Sequence, residues 1–540
     1  MKKNAYLIPL LAGLFFLPAS PARAEERSGP AAAGNTVGLL LRLPESWDGY
    51  TFFAPLNAKT TFLVDPWGRL VRSWESDYSP GNAAYLLPGG HLLRTGRVPG
   101  NFTLSGGGAG GVVERYDWDG NRLWQYFYVT DTHRQHHDAC PMPNGNVLLI
   151  AWESKTRAEA LAAGRKPDRV TADGLWPDTV IEVRPTGPTT GEVVWEWHTW
   201  DHLVQDYSAA RPDYGDPAAH PERVDLNYTA PGFLPAAADW MHTNGVHYNA
   251  ALDQVVLSVR HFSEFWVIDH GTTPAEAAGH TGGRRGRGGD LLYRWGNPAA
   301  YGRGTTGDQV FYGQHHAHWI ADGLPGAGHF LVFNNGGGRP GADYSSVDEV
   351  SPPLDATGGY LLDSGAAFGP EALTWSYVAP VPPDFYASYI SGAVRLPNGN
   401  TLVCHGPYGT FFEVTPAGKT VWAYVNPVTG DGALMQGETV PGTSANKENS
   451  TFRAYRYAAD GPELSGIDLT PGGYIEGYRD GDVNGDLRTD SRDLQILLLV
   501  VSGILPSGNP PCTYPERADF DAGGTLDATD LAALAALLAE

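Results

Sequence analysis

A short strand ending on tryptophan or another aromatic recurs six times along this chain, as Leu70-Val71-Arg72-Ser73-Trp74, Arg122-Leu123-Trp124-Gln125-Tyr126, Val193-Val194-Trp195-Glu196-Trp197, Leu291-Leu292-Tyr293-Arg294-Trp295, Leu373-Thr374-Trp375-Ser376-Tyr377 and Thr420-Val421-Trp422-Ala423-Tyr424. Alternation of apolar and polar residues marks half-buried strands. Hairpin signals accompany them, notably Pro143-Asn144-Gly145-Asn146 and Pro397-Asn398-Gly399-Asn400, where Asn-Gly supplies the positive φ angles of a tight turn. Six copies predict an all-β, six-bladed β-propeller whose uneven spacing reflects loops inserted between strands. Too little regular β pattern follows the sixth copy to finish its own sheet, so residues near Tyr50 to Val64 are expected to complete the blade begun around Trp422 and remove its open edge.

Lys2-Lys3, the apolar run Tyr6 to Leu17 and Ala22-Arg23-Ala24 form the three regions of a secretory signal over residues 1–24. The run is short for a membrane span, and no later segment of spanning length lacks Gly, Pro or charge. The expected location is therefore periplasmic, cell-surface or secreted, without stable membrane insertion. The propeller is assigned to residues 25–470, a linker to 471–479 and a separate module to 480–540. A formal charge of -23 argues against nucleic acid and anionic membranes as partners. Cys140, Cys404 and Cys512 show no metal-type spacing; pairing of Cys140 with Cys404 stays open.

Residues 199–238 and 271–290 lack strand alternation and read as surface loops, with a lid over one mouth of the channel as the functional alternative. Arg284-Arg285-Gly286-Arg287 is either a solvated basic loop or an attractor for an anionic substrate.

Asp239-Trp240-Met241-His242-Thr243-Asn244, Arg260 within Leu257-Ser258-Val259-Arg260-His261-Phe262, and Gln314-His315-His316-Ala317 supply imidazoles, amides and a guanidinium, in a chain without a nucleotide-binding signature. Arg offers an oxyanion a planar fork, and Asn adds a neutral donor. Imidazole serves as nucleophile or general acid near neutral pH. Taken in order with His137 of His136-His137-Asp138, these residues resemble the bacterial aryl-sulfate sulfotransferases, from about Phe62 to Tyr457. Those are secreted β-propeller enzymes that move a sulfuryl group between phenols without a nucleotide donor.

The resemblance implies an aryl sulfate donor, a phenolic acceptor, no catalytic cofactor, and a ping-pong reaction through a sulfurylated His315. His242, His137 and Arg260 are implied as catalytic partners, and Asn244 with Ser391 or Ser388 as substrate contacts, all meeting at one mouth of the channel. His316 and His318 remain open as the nucleophile; in an extended strand His316 would point away from His315. His136 and His247 read as hydrogen-bonded structural histidines. Two other functions stay open: a non-catalytic ligand-binding propeller, and a metal-dependent propeller hydrolase closing a His/carboxylate shell. A quinoprotein dehydrogenase is set aside because no regular Trp-docking repeat is visible.

After Tyr478 the composition changes. Asp482, Asn484, Asp486, Asp490 and Asp493 fall at positions one, three, five, nine and twelve of a calcium-type loop, followed by an apolar helix from Leu494. Asp519, Asp521, Asp527 and Asp530 repeat the pattern before a second helix, with Gly523 in place of one acidic ligand and Leu487 at the usual turn glycine of the first loop. The pair resembles a dockerin type I module, which implies bound Ca2+, small EF-hand-like helices and a cohesin-like partner. Without metal the same stretch reads as an acidic, capped helix pair.

Overall fold

The computed structural model describes residues 35–234, 237–477, 481–484, 488–505, 507, 515–520 and 525–539. The candidate signal and Cys512, Asp486 and Asp521 lie outside them.

Six antiparallel sheets form the ring. Innermost strand first, blade 1 contains Thr451–Tyr457, Tyr50–Pro55, Thr60–Val64 and Leu70–Glu75, and blade 2 contains Pro80–Leu87, His91–Arg97, Gly111–Tyr116 and Arg122–Phe127. Blade 3 is His133–Pro141, Val147–Glu153, Asp178–Gly187 and Thr190–His198; blade 4 is Thr243–Asn249, Gln254–Val259, Glu264–Asp269 and Tyr293–Trp295. Blade 5 is His315–Trp319, Phe330–Asn334, Ser346–Val350 and Trp375–Tyr377. Blade 6 is Gly392–Arg395, Thr401–His405, Thr410–Val414 and Thr420–Val425, with Gly38–Arg42 added outside.

The ring closes differently from the sequence expectation. Tyr50–Pro55 and Thr60–Val64 belong to blade 1, where Tyr50 faces Tyr457 and Phe52 faces Tyr455. The blade of Trp422 is complete by itself, and the N-terminal strand that joins it is Gly38–Arg42, with Arg42 opposite Trp422. The closing element is thus the C-terminal strand Thr451–Tyr457, separated from Trp422 by a loop long enough to hide its alternation from a local reading.

All six aromatic strands occupy the fourth position of their blades, and the indoles explain why. Trp74 Nε1 donates to the Asp117 carbonyl of blade 2 (3.0 Å), Trp124 to Thr190 of blade 3 (3.1 Å), and Trp197 to Gly289 beside blade 4 (2.7 Å). Trp295 continues to Pro370 (3.0 Å), Trp375 to Pro416 (2.9 Å), and Trp422 returns to Pro66 of blade 1 (3.1 Å). Each indole buries its apolar body between blades and satisfies its one donor on the next sheet. A regular Trp-docking girdle therefore exists, contrary to the sequence reading, which saw the tryptophans but not their acceptors. Trp422, which also lies under Arg456 at 4.0 Å, seals the seam between the chain ends. Trp422→Phe is expected to lower unfolding free energy by about 1–2 kcal/mol in urea titration; an unchanged midpoint would show the girdle adds nothing to stability.

The two insertions diverge. Residues 199–234 pack Leu203, Val224 and Leu226 into the main core and end with Phe233 tilted against the His261 ring at 4.3 Å. The 271–290 segment instead leaves blade 4 at the strand end remote from His242, where Arg284 approaches Asp253 at 3.5 Å. It does not cover the histidines, and its Arg cluster lies away from them. Cys140 and Cys404 are both buried and free; burial pushes the Cys140 thiol up to about 12.

In the tail, Ser491–Val501 and Ala528–Leu537 are helices capped by Asp490 and Asp527, each completing a capping box with Asp493 or Asp530. Leu497 and Leu534 meet Val483 and Ala518 in a small core. Gly472 and Gly473 hydrogen-bond along Leu70, so the stretch before the module lies on the outer strand of blade 1.

Candidate functional site

Around the channel, the inner strands share a backbone irregularity. Asn82, His137, His242, His316, Ile390 and Ser391 all have positive φ, and the pairing register shifts beside them in blades 2 to 5. A left-handed residue in a β-bulge breaks strict alternation and re-aims side chains. His242 precedes the strand Thr243–Asn249 and a bulge follows it, whereas His316, as alternation predicts, turns from His315 to stack on His318.

Glycines make room for the imidazoles. A Cβ on Gly108 would lie 2.3 Å from the His137 ring, and one on Gly107 3.4 Å from His242. His137 and His242 rings are 4.5 Å apart, and His242 stacks on His261 at 4.8 Å. Phe452 touches both His137 (6.3 Å) and His315 (6.5 Å). Arg260 begins the turn Arg260–Phe262 rather than sitting in the strand. Its guanidinium lies over Phe233 at 5.1 Å, bonds His261 Nε2 at 3.2 Å and donates to the Ser388 carbonyl at 3.4 Å, while its Nε is buried without a protein partner.

The protons on these rings are dictated by acceptors that have none to give. Asn335 donates both amide hydrogens, to the Ala387 carbonyl (2.8 Å) and the Ile390 carbonyl (3.0 Å). Its Oδ1 therefore faces His315 Nδ1 at 2.7 Å, which puts the proton on Nδ1 and the lone pair on Nε2. That Nε2 accepts from the Ile390 N–H at 3.2 Å; a sulfate donor reaching it has to break this bond. Asp178 accepts from His136 Nε2 (3.1 Å), leaving His136 Nδ1 to accept from His137 Nδ1 at 2.9 Å. Asp239 does the same for His242 Nδ1, and its carbonyl for His261 Nδ1. In their neutral forms His137, His242 and His315 thus all carry the bare nitrogen at Nε2.

Burial, then the neighbouring His242, His136, His315 and Arg260, hold the His137 pKa well below the usual imidazole range. Burial and then Arg260 do so for His315. His316 and His318 stack on each other at 4.3 Å in a different environment, near Arg453 and His247. Asn244 is fully buried, donates to the Gln314 carbonyl at 2.7 Å and leaves Oδ1 without a protein partner. Ser391 Oγ, also fully buried, accepts from the Gly406 N–H at 3.0 Å.

Sequence reading missed five supporting side chains, one of them Asp178 behind His136. Asp239 and His261 stood inside the quoted motifs without a role. Asn335 follows a strand in an unremarked Asn-Asn-Gly turn. Arg453, one of two arginines in the aromatic strand Thr451–Tyr457, pairs with Asp138 at 2.7 Å and reaches the Asn244 carbonyl (2.9 Å) and the Tyr85 hydroxyl (3.1 Å).

Burial also depresses His316, and brings His261 and His318 to about 3 and His247 to about 4. Folded values below the unfolded one, about 6.5, mean that the unfolded chain binds more protons as the medium acidifies. The stability is complete above pH 6.5 and lost as pH falls. Asp225 and Glu476, raised by burial to about 6 and about 7, oppose this together with Glu264, Glu463, His198 and His270, which are also raised, but nine lowered histidines, His91, His133 and His405 included, outnumber these six groups and leave the sign unchanged. The urea midpoint is expected to drop between pH 7 and 5; a flat profile would mean the rings are not held neutral.

Fold and site together define a β-propeller whose channel holds a cationic and neutral-donor pocket suited to an oxyanion. Residues 58–433 match the arylsulfotransferase (ASST) family and residues 480–539 the dockerin type I domain. The chain belongs to the arylsulfotransferase family and carries a C-terminal dockerin type I domain. No curated protein matches it. Among solved structures, it is similar to a protein of unknown function from Bacteroides caccae (10% identity, TM-score 0.39, covering 76% of this chain and 99% of that one). It is also similar to the periplasmic gluconolactonase PpgL of Pseudomonas aeruginosa (13% identity, TM-score 0.36, 76% and 99%) and apo AztD of Citrobacter koseri (10%, 0.32, 76% and 99%).

Proposed function

We propose that this protein transfers a sulfuryl group from an aryl sulfate to a phenol, with His315 as the nucleophile. The observation that carries the reading is the Asn335 clamp: it leaves a neutral His315 with its lone pair on Nε2, beside the charge of Arg260. His315 Nε2 attacks sulfur, the S–O bond to the aryl group breaks, and the electron pair leaves with the phenolate oxygen. The departing phenolate takes its proton from solvent, and the bare Nε2 of His137 or His242, the first oriented by Asp178 through His136 and the second by Asp239 directly, takes the proton of the acceptor phenol and returns it to solvent. The acceptor oxygen then attacks sulfur and the N–S bond breaks, regenerating neutral His315. Arg260 and Asn244 are the contacts for the non-bridging oxygens. Two half-reactions require ping-pong kinetics.

Release of a chromogenic phenol from its sulfate that depends on an added phenol supports transfer. Release without acceptor favours a hydrolase, tested further by chelation, and no release favours a binding propeller. Among the described residues no helix is long and apolar enough to cross a membrane, and the reading assigns the protein outside the cytoplasm.

The tail is read as a Ca2+ module that recruits a cohesin-like partner. Asp493 and Asp530, at position twelve of their loops, are fully buried and reach back to the Asn484 and Phe520 N–H groups. Buried carboxylates folded into an acidic loop suit a hard cation. Asp490, Asp527, Asp519 and Asn484 would hold it with them, together with Asp482, whose Oδ2 accepts from Arg517 at 3.0 Å. From residue 480 the sequence has 11 acidic and 3 basic side chains, so neutralisation by Ca2+ should drive compaction. Chelation is expected to reduce helical ellipticity and expose the tail to protease; a tail equally helical with and without calcium refutes the reading.

A further inference from the structure

Remote from the candidate catalytic histidines, three ligand-type atoms converge where the two insertions meet. His202 Nδ1 lies 2.9 Å and His280 Nδ1 2.8 Å from the same oxygen, Asp290 Oδ1. All three atoms fall within 4.8 Å of one another, the one such group among the described residues. His202 and Asp290 are buried, whereas His280 is 38% exposed.

The other nitrogen of His202 makes this more than a hydrogen-bonded cluster. Nε2 sits 2.8 Å from the Ala277 carbonyl, which only accepts, so Nε2 carries a proton. In a neutral ring Nδ1 is then bare, and its lone pair faces a carboxylate lone pair at 2.9 Å. Positive charge is required between them. A second proton on a fully buried imidazole is one source, but a divalent cation satisfies both histidines and the carboxylate at once. The ring is also held as metal-bound histidines are: a backbone carbonyl fixes the distal N–H, and Trp197 stacks parallel to it at 5.5 Å. Gly289 permits the approach, since a Cβ there would lie 2.0 Å from the Ala277 oxygen and 2.6 Å from His202 Nε2.

We infer that His202, His280 and Asp290 bind a borderline divalent cation of the zinc class, pinning the 199–234 insertion to the 271–290 segment at the outer edge of blades 3 and 4. Two imidazoles and one carboxylate are the ligand set such ions prefer, with a fourth position on the exposed His280 side. The hard oxygen loops of the tail select calcium instead, so the two kinds of site are separable.

The test uses the full-length protein, stripped with chelator and titrated at neutral pH with Co2+ in excess Ca2+. Expected is one equivalent of Co2+ with the visible absorption of a nitrogen-ligated ion, displaced by Zn2+, and a higher thermal midpoint with Zn2+. His280→Ala, at a partly exposed position, should weaken uptake at least tenfold and abolish the midpoint gain; Asp290→Asn should do the same and serves as the second variant if the first fails to fold. Absence of uptake by the wild-type protein, or an equivalent retained undiminished in both variants as binding at the channel histidines would give, overturns the inference.

Discussion

Replacing His315 with alanine is expected to reduce sulfuryl transfer by about 10⁴-fold or more, because a covalent route has no substitute for its nucleophile. The protein should remain folded: the cavity exposes the Asn335 oxygen but strands no charge. Incubation with donor alone, followed by peptide mapping, should find the sulfuryl label on His315 in the parent protein and none in the variant. Label on His316, His318, Ser391 or a carboxylate would remove the proposed assignment. Arg260→Ala supplies the companion result, a loss of about 10²–10³-fold in turnover with weaker donor binding and an unchanged fold. Parallel lines in initial-rate plots against donor and acceptor complete the case; intersecting lines would mean direct transfer in a ternary complex.

Arg453→Met should have the largest effect on stability, about 3–5 kcal/mol. Arg453 arises in blade 1, yet its guanidinium bonds Asp138 of blade 3, the Asn244 carbonyl of blade 4 and Tyr85 of blade 2. Tyr85 and the Val246 N–H also bond Asp138. Burial works against the arginine's charge, but Asp138 more than restores it and raises its pKa. Removing the cation leaves the carboxylate buried and unpaired, and unlocks four blades at the axis. Urea unfolding of Arg453→Met beside Arg453→Met/Asp138→Asn checks the cause: the second substitution should recover part of the loss. An equal loss in both would point to packing rather than the stranded charge.

What could be read locally was read from patterns that local physics writes into sequence. The aromatic strands, the Asn-Gly hairpins and the paired acidic loops each depend on residues a few positions apart, and they gave the blade count and the appended module. His137, His242, Arg260 and His315 stood out because unusual polar residues cluster in short motifs. The strand Thr451–Tyr457 went unassigned because its partner, Tyr50–Pro55, lies at the other end of the chain.

The same separation hid the controls on chemistry. Asn335 sets the proton of His315 only because Ala387 and Ile390 take its amide hydrogens. Asp178 acts on His137 through His136, and each tryptophan finds its acceptor one blade away. Sequence by itself determined the repeating strand, the polar residues available to the pocket and the acidic tail, since these follow from composition and short-range periodicity. Ring closure, bulges, imidazole tautomers and the hub at Arg453 were decided by tertiary structure alone, because each depends on backbone or side chains brought together from distant parts of the chain.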